Sequence, residues 1–232
     1  MRKLTIANNI TASNDDARLL ALLEYIRKNE DSACTEENIK KLYDNAYEVS
    51  TDEIGTKTYE VLTEKEAHDK AHEYEVELLK VDNIFEWPNK KFVQEIKDTC
   101  LKKEKLLNML REDLSSWIES MDSDELVQEA LYKGIYHDAD EAYESIDRDG
   151  GEYIQTNLID YYYDEYKNSP LSYYEELYDG DSLSDFIITN ELLDLDKIAD
   201  SILKTDGLGP SLATYDSETL YLPNDYLAFR ID

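Results

Sequence analysis

Two histidines one helical turn apart are the first residues whose types and spacing could do chemistry. His68 and His72 are four positions apart, so in a helix both imidazoles lie on one face, a spacing that can bind zinc. The metalloprotease motif requires Glu beside the first His, but Asp69 stands there, and His137 lies in a distant segment. We therefore expect no metal site and no cofactor. A metal-dependent enzyme using His68 and His72 is kept as an alternative.

A second metal motif is incomplete. The segment ending at Gly150 resembles the first half of a calcium-binding loop, but Ser145 stands where Asp is normal and Thr156 where Glu should supply two oxygens. Cys34 and Cys100 carry no local signature of a catalytic nucleophile, and the 7 glycines form no phosphate-binding loop. We predict no catalytic residues, and hence a protein that is not an enzyme.

Acidic residues dominate the chain. Among 232 residues, 54 Asp and Glu oppose 24 Lys and Arg, a formal net charge of −30. Residues 112–232 hold 31 acidic and 6 basic residues, a net of −25, whereas residues 1–111 hold 23 and 18, a net of −5. An excess of this size repels DNA, RNA and anionic membranes, so we expect no direct binding to nucleic acid or to a membrane.

Carboxylates recur at one-turn spacing within residues 119–196, where Lys133, Arg148 and Lys167 are the only basic residues. The 23 acidic residues of this span give it a net charge of −20. Like charges one turn apart destabilise a helix by about 0.2–0.5 kcal/mol per pair, and basic neighbours that would relieve this are scarce. We therefore predict that these carboxylates bind a partner. The predicted partner-binding residues are Glu125, Glu129, Asp140, Glu144, Asp147, Asp160, Asp164, Glu165, Glu175 and Glu176.

The density of negative charge is comparable with that of duplex DNA. B-DNA carries about one charge per 1.7 Å of axis, so twenty charges correspond to about ten base pairs, or roughly 34 Å. A compact domain of about 120 residues has a similar extent, and two or three adjacent acidic helices would match the duplex. The hypothesis is that carboxylates replace phosphates on the surface of a basic nucleic-acid-binding protein. The alternative is a solvated acidic face that only maintains solubility.

Local signals place these residues in an α+β protein that is predominantly α-helical. The capping box Thr63–Glu66 predicts the start of a helix, and a second box follows at Asp122–Glu125. Thr35 is predicted to cap a helix over Ile39–Tyr43, and residues 47–57 are predicted to form a loop. Further helices are predicted from Asn14 and over 64–79, 122–134, 138–147, 153–167, 171–178, 182–192 and 194–204, with strands at 58–62, 220–222 and 226–230. Residues 90–120 are predicted to form one long helix or two joined helices.

The change in charge predicts two regions. Residues 1–118 form a helical region of nearly balanced charge, and residues 119–232 form a strongly acidic, tyrosine-rich helical region with a β-like tail. Of the 19 tyrosines, 14 follow residue 111. Because Tyr combines an apolar ring with a hydroxyl, we expect most of them to line a half-exposed core beneath an acidic surface.

In size, charge and helix content the chain resembles the acidic DNA-mimic proteins of phages and mobile elements, of which the antirestriction proteins are the familiar example. Two segments, 55–67 and 206–230, are similar to parts of acidic phage proteins. The resemblance implies an inhibitor of a DNA- or RNA-binding bacterial defence protein, such as a restriction or CRISPR nuclease. Such an inhibitor would occupy the basic binding surface of that protein without catalysis.

The expected location is the cytoplasm of a bacterial host. Two cysteines suit a reducing compartment, and the first residues contain no continuous apolar run typical of a signal peptide. A homodimer is compatible with the composition. An acidic phage virion or assembly protein with no inhibitory role is kept as the first alternative.

Overall fold

The computed structural model describes residues 14–29, 39–43, 46–51 and 55–232. Helices make up most of this part and five strands form one sheet, which confirms the α+β class with predominant helix. No helix within these ranges is both long and apolar enough to cross a membrane. The helices are α1 (Asn14–Asn29), α2 (Glu64–Leu79), α3 (Lys90–Thr99), α4 (Lys103–Glu119), α5 (Ser123–Tyr132), α6 (Ala139–Asp149), α7 (Glu152–Tyr166), α8 (Pro170–Leu177), α9 (Gly180–Thr189), α10 (Leu195–Asp206) and α11 (Gly209–Leu212). The strands are β1 (Ile39–Tyr43), β2 (Ala46–Thr51), β3 (Gly55–Thr63), β4 (Leu220–Tyr221) and β5 (Tyr226–Arg230).

The chain forms two compact units, one of which is discontinuous in sequence. The sheet unit contains the described residues up to Val81 together with Leu195–Asp232, and the helical unit contains Asp82–Asp194. These units do not coincide with the regions 1–118 and 119–232 predicted from charge, because α4 ends at that boundary inside the helical unit. The distribution of charged residues reflects which side chains face solvent, whereas the two units are defined by how the helices and strands pack. The pairing of β5 with β3 places the C-terminal segment in the sheet unit.

The sheet is antiparallel, with strand order β1-β2-β3-β5-β4. Successive side chains of a strand point to opposite faces, so neighbouring residues of β3 reach different clusters. Val61 packs with Leu22 and Ile26 of α1, whereas Leu62 packs with Ala67 of α2. Helices therefore cover both faces of the sheet, and this fixes its register.

Two predictions for the first part of the chain are wrong. Ile39–Tyr43 forms strand β1 rather than a helix, and residues 47–57 contain most of β2 and the start of β3 rather than a loop. Tyr47 and Val49 alternate toward the core and are fully buried, because β2 pairs with β3 along its whole length. Thr35, the predicted cap, lies outside the described residues.

The two capping boxes are confirmed. The Thr63 hydroxyl accepts a hydrogen bond from the Glu66 amide, and the Glu66 carboxylate accepts one from the Thr63 amide at 2.9 Å. Asp122 and Glu125 exchange the equivalent bonds at the start of α5. Glu66 also accepts a bond from Arg18 of α1 at 2.8 Å, so one carboxylate joins two helices to β3.

Four helices of the helical unit enclose a common core. Ile118 of α4, Leu126 of α5, Ala142 of α6 and Leu158 of α7 are buried together. The connection between α6 and α7 includes Gly151 at φ 86°, and a Cβ there would lie 2.9 Å from the Leu126 side chain. Glycine at this position therefore lets the turn between α6 and α7 lie close against α5.

Candidate functional site

An unpaired row of carboxylates lies along the solvent face of α6. Asp140, Glu144 and Asp147, all predicted to bind a partner, are exposed at helical spacing. Across the described ranges of the chain, none of these three carboxylates has an ion-pair or hydrogen-bond partner. We call these three residues the α6 stripe. Their charges are available to another molecule.

Capping and burial hold the α6 stripe toward solvent. The Asp138 carboxylate accepts a hydrogen bond from the Asp140 amide at 2.7 Å and begins the helix. Ala142 and Ser145 are buried on the opposite face, so the helix cannot rotate without exposing them. Arg148, the cation of α6, contacts Asp149 at 3.7 Å and the Ser145 hydroxyl at 3.1 Å rather than the stripe.

Four of the other predicted carboxylates form ion pairs with basic residues of the helical unit. Such pairs on a protein surface contribute about 0–1 kcal/mol, but they reduce the charge presented to a partner. The pairs are Asp160 with Arg111 at 3.2 Å, Asp164 with Lys167 at 2.8 Å, Glu165 with Lys133 at 4.0 Å and Glu175 with Lys97 at 2.6 Å. Carboxylates with the same spacing in the sequence therefore differ in the structure, because some are ion-paired and others are not.

The remaining three predicted carboxylates accept hydrogen bonds from neutral donors and keep their charge. Glu125 accepts from the Asp122 amide at 3.1 Å. Glu129 accepts from the Tyr162 hydroxyl, and Glu176 accepts from the Tyr166 hydroxyl at 3.0 Å. Hydrogen bonds hold these carboxylates in place, and Glu125 and Glu129 belong to α5, which packs against α6.

Tyrosine hydroxyls bind carboxylates at four places in the helical unit, each time between two helices. These bonds explain the excess of tyrosine over phenylalanine, since the ring packs inside while the hydroxyl fixes a charge at the surface. The pairs are Tyr143 with Asp124 at 2.7 Å, Tyr162 with Glu129, Tyr166 with Glu176 at 3.0 Å and Tyr174 with Asp113 at 2.8 Å. Tertiary structure alone identifies Asp113 and Asp124, which the sequence does not single out.

These tyrosines stay neutral donors far above neutral pH. Burial, with the hydrogen bond to Glu176, raises the pKa of Tyr166 to about 12. Burial is also the main reason that the pKa values of Tyr162 and Tyr174 are raised, and their carboxylate partners add to it. The hydrogen bond to Asp124 raises the pKa of Tyr143.

Cations of the helical unit lie between a carboxylate and an aromatic ring. The Arg111 guanidinium is 4.8 Å from the centre of the Tyr163 ring while it pairs with Asp160. Lys97 pairs with Glu175 and lies 5.3 Å from the Phe85 ring. The same arrangement recurs at Lys133. The surface therefore binds its own cations by charge and by ring contact together.

The histidines are not gathered into a metal centre. The rings of His68 and His72 stack with centroids 6.3 Å apart, and His72 Nε2 lies 3.6 Å from a carboxylate oxygen of Asp200 and 3.8 Å from one of Asp196. Among the residues that the structure describes, no three His, Cys, Asp or Glu side chains are grouped to hold a metal ion. The segment before Gly150 is helical, so its carboxylates do not form a calcium loop.

A polar cleft of about 350 Å³ lies within the helical unit, beside α3 and the start of α8. Lys97 and Lys103 line it together with Asn168 and Glu175. Both lysines have partners, because Lys97 pairs with Glu175 and Lys103 contacts the Asn168 carbonyl at 3.4 Å. The cleft contains no nucleophile positioned by a base, so its geometry does not indicate catalysis.

Comparison of the chain with protein-family models, curated proteins and solved structures found no match.

Proposed function

We propose that this protein is a nucleic-acid-mimicking inhibitor that occupies the basic binding surface of a bacterial DNA- or RNA-binding defence protein, such as a restriction or CRISPR nuclease. The observation that carries the proposal is the α6 stripe, whose three exposed carboxylates have no partner in the described chain. Keeping these like charges together costs about 0.2–0.5 kcal/mol per pair, a cost that binding to a cationic partner would offset. The proposed mechanism is occupation, with no catalytic step.

The arrangement of charges supports a phosphate mimic rather than a single anion site. Neighbouring carboxylates of the α6 stripe are separated by about 4.5–6 Å along the helix axis, compared with about 3.4 Å between phosphates of one DNA strand. The carboxylates held by capping or by tyrosine on the neighbouring helix α5 add further negative charge. Anions held on rigid helices need no reordering when they bind, so less conformational entropy is lost.

The proposed partner is a basic nucleic-acid-binding protein of the bacterial cytoplasm. Its Lys and Arg side chains would contact the carboxylates in place of phosphates, so nucleic acid and this protein would exclude one another. Attraction between exposed charges is screened by salt, and affinity should therefore fall steeply as ionic strength rises. An acidic virion or assembly protein and a metal-dependent enzyme remain the competing functions.

Charge reversal of the α6 stripe tests the proposal. The variant Asp140→Lys, Glu144→Lys, Asp147→Lys changes the charge by six units. The matched control is the reversal of Asp69, Glu73 and Glu77, which are exposed on α2 of the sheet unit. Immobilised wild-type protein and both variants would be used to capture proteins from a bacterial host lysate, with elution by graded salt, duplex DNA or RNA.

We expect nucleic acid to release the captured protein, the stripe variant to lose it and the control to retain it. The captured protein's nuclease activity should be inhibited by wild type but not by the stripe variant. Capture that survives reversal of the stripe, of Glu125 with Glu129, and of Asp160 with Asp164 would refute mimicry. Simultaneous binding of nucleic acid and of this protein to the captured protein would also refute mimicry. The double variant His68→Ala, His72→Ala should inhibit normally, and loss of inhibition in a folded variant would favour the enzyme.

A further inference from the structure

Three exposed aromatic side chains of the helical unit lie around Tyr162 and Lys133. Trp117, Tyr132 and Tyr161 are 41%, 80% and 43% exposed. Trp117 and Tyr161 contact the ring of Tyr162, with centroids 5.1 Å and 5.7 Å from it. Tyr132 joins the group through Lys133, whose ammonium is 5.2 Å from the Tyr132 ring and 4.9 Å from the Tyr161 ring. We call Trp117, Tyr132 and Tyr161 the aromatic patch.

Carboxylates border the aromatic patch. Glu129 accepts the Tyr162 hydroxyl bond beneath it, and Glu165 lies 4.0 Å from the Lys133 ammonium. The Lys133 side chain is only 13% exposed, whereas Tyr132 and Tyr161 are largely open to solvent, so the lysine leaves much of their ring surface uncovered. The patch thus presents exposed aromatic surface within a region of net charge −20 over residues 119–196. Charge complementarity points to a cationic occupant.

The helical unit already shows what binds such a surface. Arg111 lies over the Tyr163 ring at 4.8 Å while it pairs with Asp160, and Lys133 lies over the Tyr162 ring at 4.4 Å beside Glu165. Each cation is held by a ring face together with a carboxylate. A planar guanidinium suits this arrangement better than an ammonium, because it stacks on the ring while its N–H groups bind the carboxylate.

We propose that the aromatic patch is the docking site for arginine side chains of the partner's nucleic-acid-binding surface, an inference that rests on the proposed function. Arginines on such surfaces stack on bases as well as binding phosphates. The patch would supply base-like faces where the α6 stripe supplies phosphate-like charges. Exposed Tyr and Trp are also the residues that most often anchor protein interfaces. The inference therefore specifies the partner as one whose binding surface is rich in arginine.

Two synthetic probes separate ring stacking from charge: an oligo-arginine peptide and an oligo-lysine peptide of equal length. Binding of each to the full chain would be measured by titration calorimetry. The variant Tyr132→Ala, Tyr161→Ala should lose about threefold to tenfold in affinity for oligo-arginine and much less for oligo-lysine. The variant Tyr132→Phe, Tyr161→Phe keeps the rings and should bind like wild type. The matched control Tyr221→Ala removes a tyrosine that is 77% exposed in the sheet unit and should change neither affinity.

The outcomes distinguish the two proposals. Reversal of the α6 stripe should weaken both peptides while the loss caused by the tyrosine variant persists. If the alanine variant, shown to be folded by circular dichroism, binds oligo-arginine as wild type does, the aromatic docking site is refuted while the acidic mimic stands. Equal losses for the two peptides would likewise overturn a role for guanidinium stacking. If stripe reversal changes neither affinity, the proposed function itself fails.

Discussion

Alkaline pH should destabilise the helical unit through its buried tyrosines. Tyr162, Tyr166 and Tyr174 each donate a hydrogen bond to a carboxylate and have raised pKa values. In the unfolded chain a tyrosine ionises near pH 10, but in the folded chain these three remain neutral. A raised folded pKa contributes stability that is complete below about pH 10 and is lost as the pH rises toward the folded value.

The size of the effect follows from linkage. Each tyrosine that is neutral when folded and ionised when unfolded lowers the free energy of unfolding by up to about 1.4 kcal/mol per pH unit. Tyr174, 1% exposed, should approach this limit, whereas Tyr162 and Tyr166 are partly exposed and should contribute less. Together we expect a loss of about 1–3 kcal/mol between about pH 10 and pH 11, a substantial share of the about 5–15 kcal/mol of a typical domain.

Urea denaturation followed by circular dichroism at several pH values would measure this loss, with tyrosinate absorbance reporting ionisation. The triple variant of Tyr162, Tyr166 and Tyr174 to Phe should be less stable at neutral pH, by about 1 kcal/mol per lost hydrogen bond, but should have a flatter pH dependence. The control triple variant replaces exposed tyrosines without carboxylate partners in the described chain, namely Tyr132, Tyr153 and Tyr221. A triple variant as steep as wild type, or a wild type that is flat through this range, would refute the reasoning.

Two further predictions concern charge. Raising the ionic strength from about 0.01 M to about 0.1 M shortens the screening length from about 30 Å to about 10 Å, so the melting temperature should rise. Glu144→Gln removes one of the repelling charges and should make this rise in melting temperature smaller. A flat or falling melting temperature would contradict self-repulsion. Glu66→Gln removes the negative charge that pairs with Arg18 and leaves a single amide oxygen to accept from the Thr63 amide, so it should cost about 1 kcal/mol by chemical denaturation. The hydrogen bond from the Thr63 amide, together with Arg18, holds the pKa of Glu66 below its usual 4.5. Wild type should therefore lose the stability contributed by the ionised carboxylate as the pH falls below about 4.5, whereas the variant has no such contribution to lose. Equal acid sensitivity of the two proteins would contradict this.

Local signals were sufficient for most helices, because capping depends on residues close in sequence. Thr63 with Glu66 and Asp122 with Glu125 mark the starts of α2 and α5, and both boxes form. The strands β1 and β2 could not be predicted in this way. Tyr47 and Val49 are held by pairing with β3 and by burial against α1, and neither partner is encoded in their own segment.

The availability of each carboxylate could not be predicted either. Asp160 and Asp140 both occupy acidic helices at one-turn spacing, but Arg111, 49 residues away in sequence, pairs with the first and nothing in the described chain pairs with the second. Glu175 is likewise paired with Lys97 across 78 residues. Long flexible cations reach whatever carboxylate the fold brings near, so spacing within a helix does not identify the free ones.

The sequence by itself determined the amount of negative charge, the helices that carry it and the scarcity of cations to balance it, because these depend on composition and on neighbours within a few residues. Only the tertiary structure decided that the α6 stripe stays unpaired, which tyrosines bind other carboxylates, and which rings remain exposed to a partner. Those properties depend on packing between distant helices and on the pairing of β5 with β3, and both bring together residues that no local pattern relates.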